Sequence, residues 1–326
     1  MSLADFFSPI SLSDISSKDE YLNSQFGRVI QIYQDEFPNW EDEEKRPNLA
    51  IIGVEEDRAS INNKGTAKAP NAVRKHLYDL YQGDYKTKIV DFGNIKAGDS
   101  INDTYAALKV VVEELVKKDI VPIIIGGGQD LTYAQYRGYQ ELEQRVEVAV
   151  IDAKFDLDQE HTEDMPLNSQ TYLNHLILHQ PDYLFNLNNV AYQTYLVSKE
   201  SINMYDKLFF NAQRVGMIAG KLDQAEPIIR AADMVSFDIG AIRASEAPGN
   251  ANAVPNGLFG DEACQLARYA GMSDKCSSIG FYEFNPTFDP MEQTAMLVSQ
   301  MIWCFVDGYY NRKNDAPLVP KSAYII

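Results

Sequence analysis

Four acidic residues carry the chemical interest of this chain: Asp152, Asp156, Asp238 and Glu283. Three of them close short apolar runs. Residues 146–151 lead into Asp152, 233–237 into Asp238 and 278–282 into Glu283, while Asp156 follows Asp152 by four. An ionised carboxylate left unpaired at a buried strand end is costly. Several converging on one sheet edge would suit a hard or borderline divalent cation. The plainer reading of Asp152 and Asp156 is a helix cap or a solvated loop. A fourth run, 123–125, ends in Gly126-Gly127-Gly128-Gln129-Asp130. These glycines suit a tight turn with positive φ. No Gly-Lys-Ser/Thr follows, which excludes a phosphate loop of the Walker type.

Nitrogen ligands are scarce. The histidines are His76, His161, His175 and His179. His175 and His179 stand one helical turn apart, a spacing that can hold a metal. Only Leu176, Ile177 and Leu178 lie between them, so a helix surface is the preferred reading. His161 is the one nearest the acids in sequence.

The elements that must position these residues alternate along the chain. Apolar runs at 49–54, 88–93, 122–125, 146–152, 190–194, 214–218, 233–238 and 278–283 read as strands. Between them, 70–74 opens a helix behind a proline, Ser100 and Asp103 form a capping-box start, and 131–142, 171–179, 259–270 and 291–309 read as helices. About eight β/α units without a linker predict one α/β domain over 1–326, a parallel sheet covered by helices on both faces. The count alone also fits a closed barrel. Residues 1–47 read as a variable N-terminal extension, closed by the charge run 41–46 and Pro47.

The chain has 326 residues, 45% hydrophobic and 23% charged, enough to bury a full core. Its 47 acidic against 29 basic side chains give a net charge of −18, which repels phosphate backbones and argues against nucleic-acid and anionic-membrane partners. Cys264, Cys276 and Cys304 are far apart in sequence and read as reduced thiols. No leader pattern and no apolar run approaching a bilayer span is visible, so a cytoplasmic protein is expected.

In order and spacing, these segments resemble the ureohydrolases: the arginases, agmatinases and formimidoylglutamases. The resemblance covers roughly residues 48–310. Ile52-Gly53-Val54 and Ala69-Pro70-Asn71-Ala72-Val73-Arg74 are similar to the family's first strand and its Gly-Pro-x-x-Ile-Arg segment. Asp91-Phe92-Gly93-Asn94-Ile95 resembles Asp-x-Gly-Asp-Val. Gly126 to Asp130 stands where the family has Gly-Gly-Asp-His-Ser, and Asp152-Ala153-Lys154-Phe155-Asp156 where it has Asp-Ala-His-x-Asp. Ser236 to Gly240 stands at Ser-x-Asp-x-Asp, and Glu283 to Pro286 matches Glu-x-Asn-Pro. The resemblance implies a three-layer α/β/α fold with a mostly parallel sheet of about eight strands. It also implies a homo-oligomer.

In active members of this family two Mn²⁺ ions, held by two histidines and four aspartates, supply a bridging hydroxide that attacks an amidine or guanidine carbon. Against that pattern Asp152, Asp156 and Asp238 survive, while Gln129, Lys154 and Gly240 replace the other three ligands. The expectation is therefore a ureohydrolase-fold protein that has lost binuclear manganese hydrolysis, with no cofactor, and with a binding, regulatory or structural role or an unknown metal-free activity. The alternative is an active formimidoylglutamase-like C–N hydrolase of the amidine and guanidine class, using Mn²⁺ in a rearranged site with Asp156 and Glu283 catalytic. Under either, Gly127, Gln129, Lys154, Arg243 and Glu283 are expected to form a pocket for a small cationic or amidine ligand. Lys154 is expected to stand within ~4 Å of an aspartate and, with Arg243, to supply the charge that metal ions would bring.

Overall fold

A computed structural model describes residues 2–313, except 17, 19, 87, 143 and 158–164. Its centre is one sheet of ten strands: β1 (Phe7–Ser8), β2 (Gln31–Ile32), β3 (Leu49–Val54), β4 (Ile89–Ile95), β5 (Val121–Ile125), β6 (Val146–Ile151), β7 (Leu184–Tyr192), β8 (Asn211–Arg214), β9 (Met234–Asp238) and β10 (Ser278–Tyr282). The order across the sheet is β1-β4-β3-β5-β10-β9-β6-β7-β8, with β2 also on β4. Every pairing is parallel except β1 with β4.

The central strands are apolar throughout because both faces are covered. In β3, Leu49 and Ile51 join a core with the helices Ala69–Leu77, Gly260–Met272 and Gln293–Tyr310. Ala50, Ile52 and Val54 point the other way, toward the helices Ile101–Lys117, Leu131–Arg137 and Tyr172–Ile177. This alternation of successive side chains makes three layers, α/β/α. The sheet is open, with β8 at one edge and β1 and β2 at the other, which decides against the barrel.

Two glycines set the spacing of one outer pair of helices. A β-carbon at Gly271 would collide with the Phe305 carbonyl, and one at Gly308 with the Arg268 carbonyl, so Gly260–Met272 and Gln293–Tyr310 lie with their backbones in contact. The N-terminal segment is part of the same sheet. Phe37 stacks on Phe92 of β4 at 5.0 Å, and Phe7 and Trp40 close the cluster.

Two strand expectations need correction. β7 begins at Leu184 rather than 190, because Asn186, Asn188 and Asn189 interrupt the apolar pattern while still pairing with β6. Residues 215–218 are a helical turn, and the strand lies just before them at Asn211–Arg214, an edge position whose residues read as polar. Among the described residues, no helix is long and apolar enough to cross a membrane.

Candidate functional site

Strands β5, β10, β9 and β6 are neighbours, and their carboxyl ends release Gly126, Glu283, Asp238 and Asp152 at one edge. Ligand sites in open parallel sheets form at this edge. Asp152 Oδ1 accepts a hydrogen bond from the Lys154 amide at 3.0 Å. Asp238 caps the turn that follows it, accepting from the Gly240 amide at 2.6 Å. Asp156 and Glu283 both carry left-handed backbone, φ 43° and 64°, a costly conformation for a non-glycine residue that here turns each side chain back toward the edge. Oxygens of Asp152, Asp156 and Asp238 lie within 4.8 Å of one another.

The glycine turn is a genuine structural requirement. Gly126 and Gly127 have φ of 90° and 80°, and a β-carbon at Gly127 would press on the Glu56 carbonyl at 2.7 Å. The turn orients the Gln129 amide, which donates to Glu283 Oε1 at 2.9 Å. Ser60 Oγ, at 3.0 Å from Oε2, and Asn63 Nδ2, at 2.7 Å, donate to the same carboxylate. Ser60 and Asn63 escaped the sequence reading, since they sit in an aperiodic loop after β3. Their proximity to Glu283 is a matter of tertiary contact, with no local signal.

Above these groups is a cavity of about 30 Å³ lined by Asp152, Lys154, Asp156, Asp238, Gly240 and Glu283, among others. Burial raises the proton affinity of all four acids. It pushes Asp156 up to about 7, with the Asp238 charge adding to it. Asp152 is raised by burial and then by Asp156, and Asp238 by burial and then by Asp152 and Glu283. Glu283 is raised by burial, against the pull of its Asn63, Gln129 and Ser60 hydrogen bonds. The Lys154 charge draws every one of them back toward ionisation.

The side chain of Gln129 is fully buried beneath the cavity. Its orientation is assigned from its neighbours: an amide oxygen turned toward ionised Asp156 and Asp238 would face acceptors only. With nitrogen toward the acids, it donates to Asp156 Oδ2 at 3.1 Å and Asp238 Oδ2 at 3.3 Å, and its oxygen accepts from the Tyr172 hydroxyl at 3.1 Å.

Other expected pocket residues are placed differently. Gly127 shapes the turn behind the cavity rather than its wall. Arg243 is not among the lining residues; it stacks on Phe259 at 3.2 Å and donates to the Gly257 carbonyl at 2.9 Å. Lys154 lines the cavity, but among the described residues no carboxylate stands within 4.0 Å of its ammonium, so the expected direct ion pair is absent. Its influence is through space. The described histidines supply no ligand here: His76 meets Glu292 at 3.0 Å, His179 meets the Tyr133 hydroxyl at 2.9 Å and His175 packs on the Tyr133 ring, while His161 lies outside the described residues.

A two-manganese centre of the family's kind needs two imidazoles and four carboxylates. Among the described residues, the six positions that the resemblance implies hold three carboxylates, a carboxamide with N–H donors toward two of them, no side chain at Gly240, and an ammonium. These residues do not fit a pair of ions. Asp152, Asp156 and Asp238 alone make a donor set for one hard cation.

Comparison with known proteins agrees with the geometry of the fold. The model of the Arginase family matches residues 47–307, most of the chain. This chain belongs to the arginase family. It is 25% identical over 284 residues to formimidoylglutamase of Staphylococcus haemolyticus, covering 82% of this chain and 88% of that one. Its fold is shared with Trypanosoma cruzi formiminoglutamase with Mn²⁺ (TM-score 0.77, 20% identity, 88% of this chain and 99% of that chain). It is shared too with formimidoylglutamase of Bacillus subtilis (TM-score 0.79, 19% identity, 91% and 96%). These likenesses weigh toward the amidine-hydrolase alternative and lend no support to the expectation that activity has been lost.

Proposed function

We propose that the acidic cleft receives a small organic cation of the amidine or guanidine class, on the frame that formimidoylglutamases share. The observation that carries this reading is the convergence of Asp152, Asp156, Asp238 and Glu283 on one small cavity. Buried carboxylates that raise one another's proton affinity gain most from a cation that does not leave with solvent. An amidinium or guanidinium is planar and presents paired N–H donors, which match a carboxylate bidentately. Glu283, held by three donors, is the most firmly oriented of the four acids and is the residue we assign to facing the ligand.

A second reading, hydrolysis of a linear amidine, is favoured by the formimidoylglutamase relatives and by the three-carboxylate donor set for one divalent ion. In it Asp156, with its affinity for protons near neutrality, and Glu283 handle proton transfer. Calorimetric titration with formamidinium and guanidinium, with and without Mn²⁺, combined with an assay of formimidoylglutamate turnover, separates the two. Saturable binding without turnover supports the first reading; Mn²⁺-dependent turnover supports the second; neither binding nor turnover overturns both.

A further inference from the structure

The relatives' two-ion arrangement raises a physical question for this chain: what holds three clustered aspartates together when three of the six ligand positions have changed? Like charges this close repel unless a proton or a cation intervenes. We propose that Gln129 and Lys154 divide between them the work of the ions, so that the cleft is organised without metal. Gln129 is the spacer and Lys154 is the charge.

The division follows from where the two groups stand. Gln129 is fully buried, and its carboxamide nitrogen bridges Asp156 and Asp238 from two different strand ends. Its oxygen is satisfied by Tyr172, itself fully buried, so the bridge is anchored from behind. A carboxamide presenting N–H groups acts opposite to a metal ligand: it takes up one lone pair on Asp156 Oδ2 and one on Asp238 Oδ2, which an ion could otherwise use. Asp238 Oδ1 is committed as well, to the Gly240 amide, and Asp152 Oδ1 to the Lys154 amide. A metal entering this site competes with Gln129 for Asp156 Oδ2 and Asp238 Oδ2, and with two backbone amides for the Oδ1 atoms of Asp152 and Asp238. Lys154 adds a repulsive charge at the cavity wall. Gly240 completes the change by leaving no carboxylate on the far side, although its backbone would accept one. Its φ lies outside the left-handed region, and a β-carbon there would meet Asp238 Oδ1 at 3.1 Å and Asn250 Nδ2 at 3.4 Å, a tight but adjustable fit.

The inference concerns metal and stands apart from the amidine reading, so its test reads metal directly. Wild-type protein, stripped with EDTA, is titrated with Mn²⁺ and followed by electron paramagnetic resonance and calorimetry, and its melting temperature is taken with and without EDTA. We expect less than one Mn²⁺ per chain at micromolar metal, and no change in melting temperature with EDTA. Gln129→Ala frees the carboxylate lone pairs and should raise Mn²⁺ affinity at least tenfold while lowering the melting temperature in EDTA. Gln129→His, which keeps a buried polar group, should raise the affinity further, and the triple variant Gln129→His, Lys154→His, Gly240→Asp further still. If Gln129→Ala fails to fold, the histidine variant decides. Tight stoichiometric Mn²⁺ in the wild type overturns the proposal, as does a Gln129→His protein that binds no more metal than the wild type.

Discussion

The Tyr105 hydroxyl lies 2.7 Å from Asp130 Oδ2, a hydrogen bond between two buried groups just behind the glycine turn. Burial pushes Asp130 up to about 7, and the hydroxyl only partly offsets it. In the unfolded chain this carboxyl titrates near ~4. The folded state therefore holds a proton that the unfolded state gives up, and stability falls as pH rises from about 4 to about 7. Asp130→Asn removes this contribution. Urea unfolding at pH 5 and pH 8 should show a smaller loss of stability between the two in the variant than in the wild type; an equal loss would mean Asp130 is ionised in the fold.

Arg74 is fully buried and donates to Asp91 from Nε and Nη2, both at 2.8 Å, and to the Gly93 carbonyl at 2.9 Å. Removing one member of a buried pair leaves an uncompensated charge and costs ~3–5 kcal/mol. Arg74→Met should show a loss of this size in urea denaturation. The double variant Arg74→Met, Asp91→Leu should recover part of it. A single variant as stable as the wild type would show that the pair has no structural task.

Gly271 allows two helix backbones to touch, and the atom a side chain would strike is a carbonyl oxygen of Phe305 with no freedom to rotate away. Overpacking of this kind costs ~1–3 kcal/mol. Gly271→Ala should therefore lower the thermal midpoint, where the same change on an exposed helix surface would raise it.

Lys154 bears on four carboxylates without pairing closely with any of them. Lys154→Met should strengthen binding of guanidinium by roughly tenfold, about 1.4 kcal/mol, because a like charge leaves the cavity wall. The same variant should shift the acids toward protonation, so the gain should be larger at pH 8 than at pH 6. Calorimetry at the two values checks both statements. Unchanged affinity would mean that the ammonium is fully screened by solvent.

Much of the frame was legible because fully buried parallel strands read as unbroken apolar runs. The runs ending at Ile125, Ile151, Phe237 and Tyr282 could be read as strands followed by the glycine turn or by an acid, whereas their being neighbours in the sheet required the fold. What stayed hidden depends on contacts between distant segments. The Asn-rich β7 breaks the apolar pattern, yet Asn188 bonds Glu147 and Asn189 bonds the Lys154 carbonyl. The grip of Ser60 and Asn63 on Glu283 joins residues more than 200 apart in the chain. Arg243 was expected in the cleft because of its motif position, but the aromatic face of Phe259 captures it. Gln129 could be placed by resemblance at a ligand position of the family, whereas its contact with two aspartates required the fold.

The pairing of β1 and β2 on the free side of β4 bears on how the protein can be handled. These two short strands, with Phe7, Phe37 and Trp40 beside them, cover a backbone edge that would otherwise be open to another molecule. A fragment trimmed to the stretch shared with the arginase family, residues 47–307, would keep the cleft residues intact but present β4 as a bare, apolar edge. Such an edge is a template for self-association. Truncation before residue 47 would thus remove the strands that stand between this edge and a second molecule.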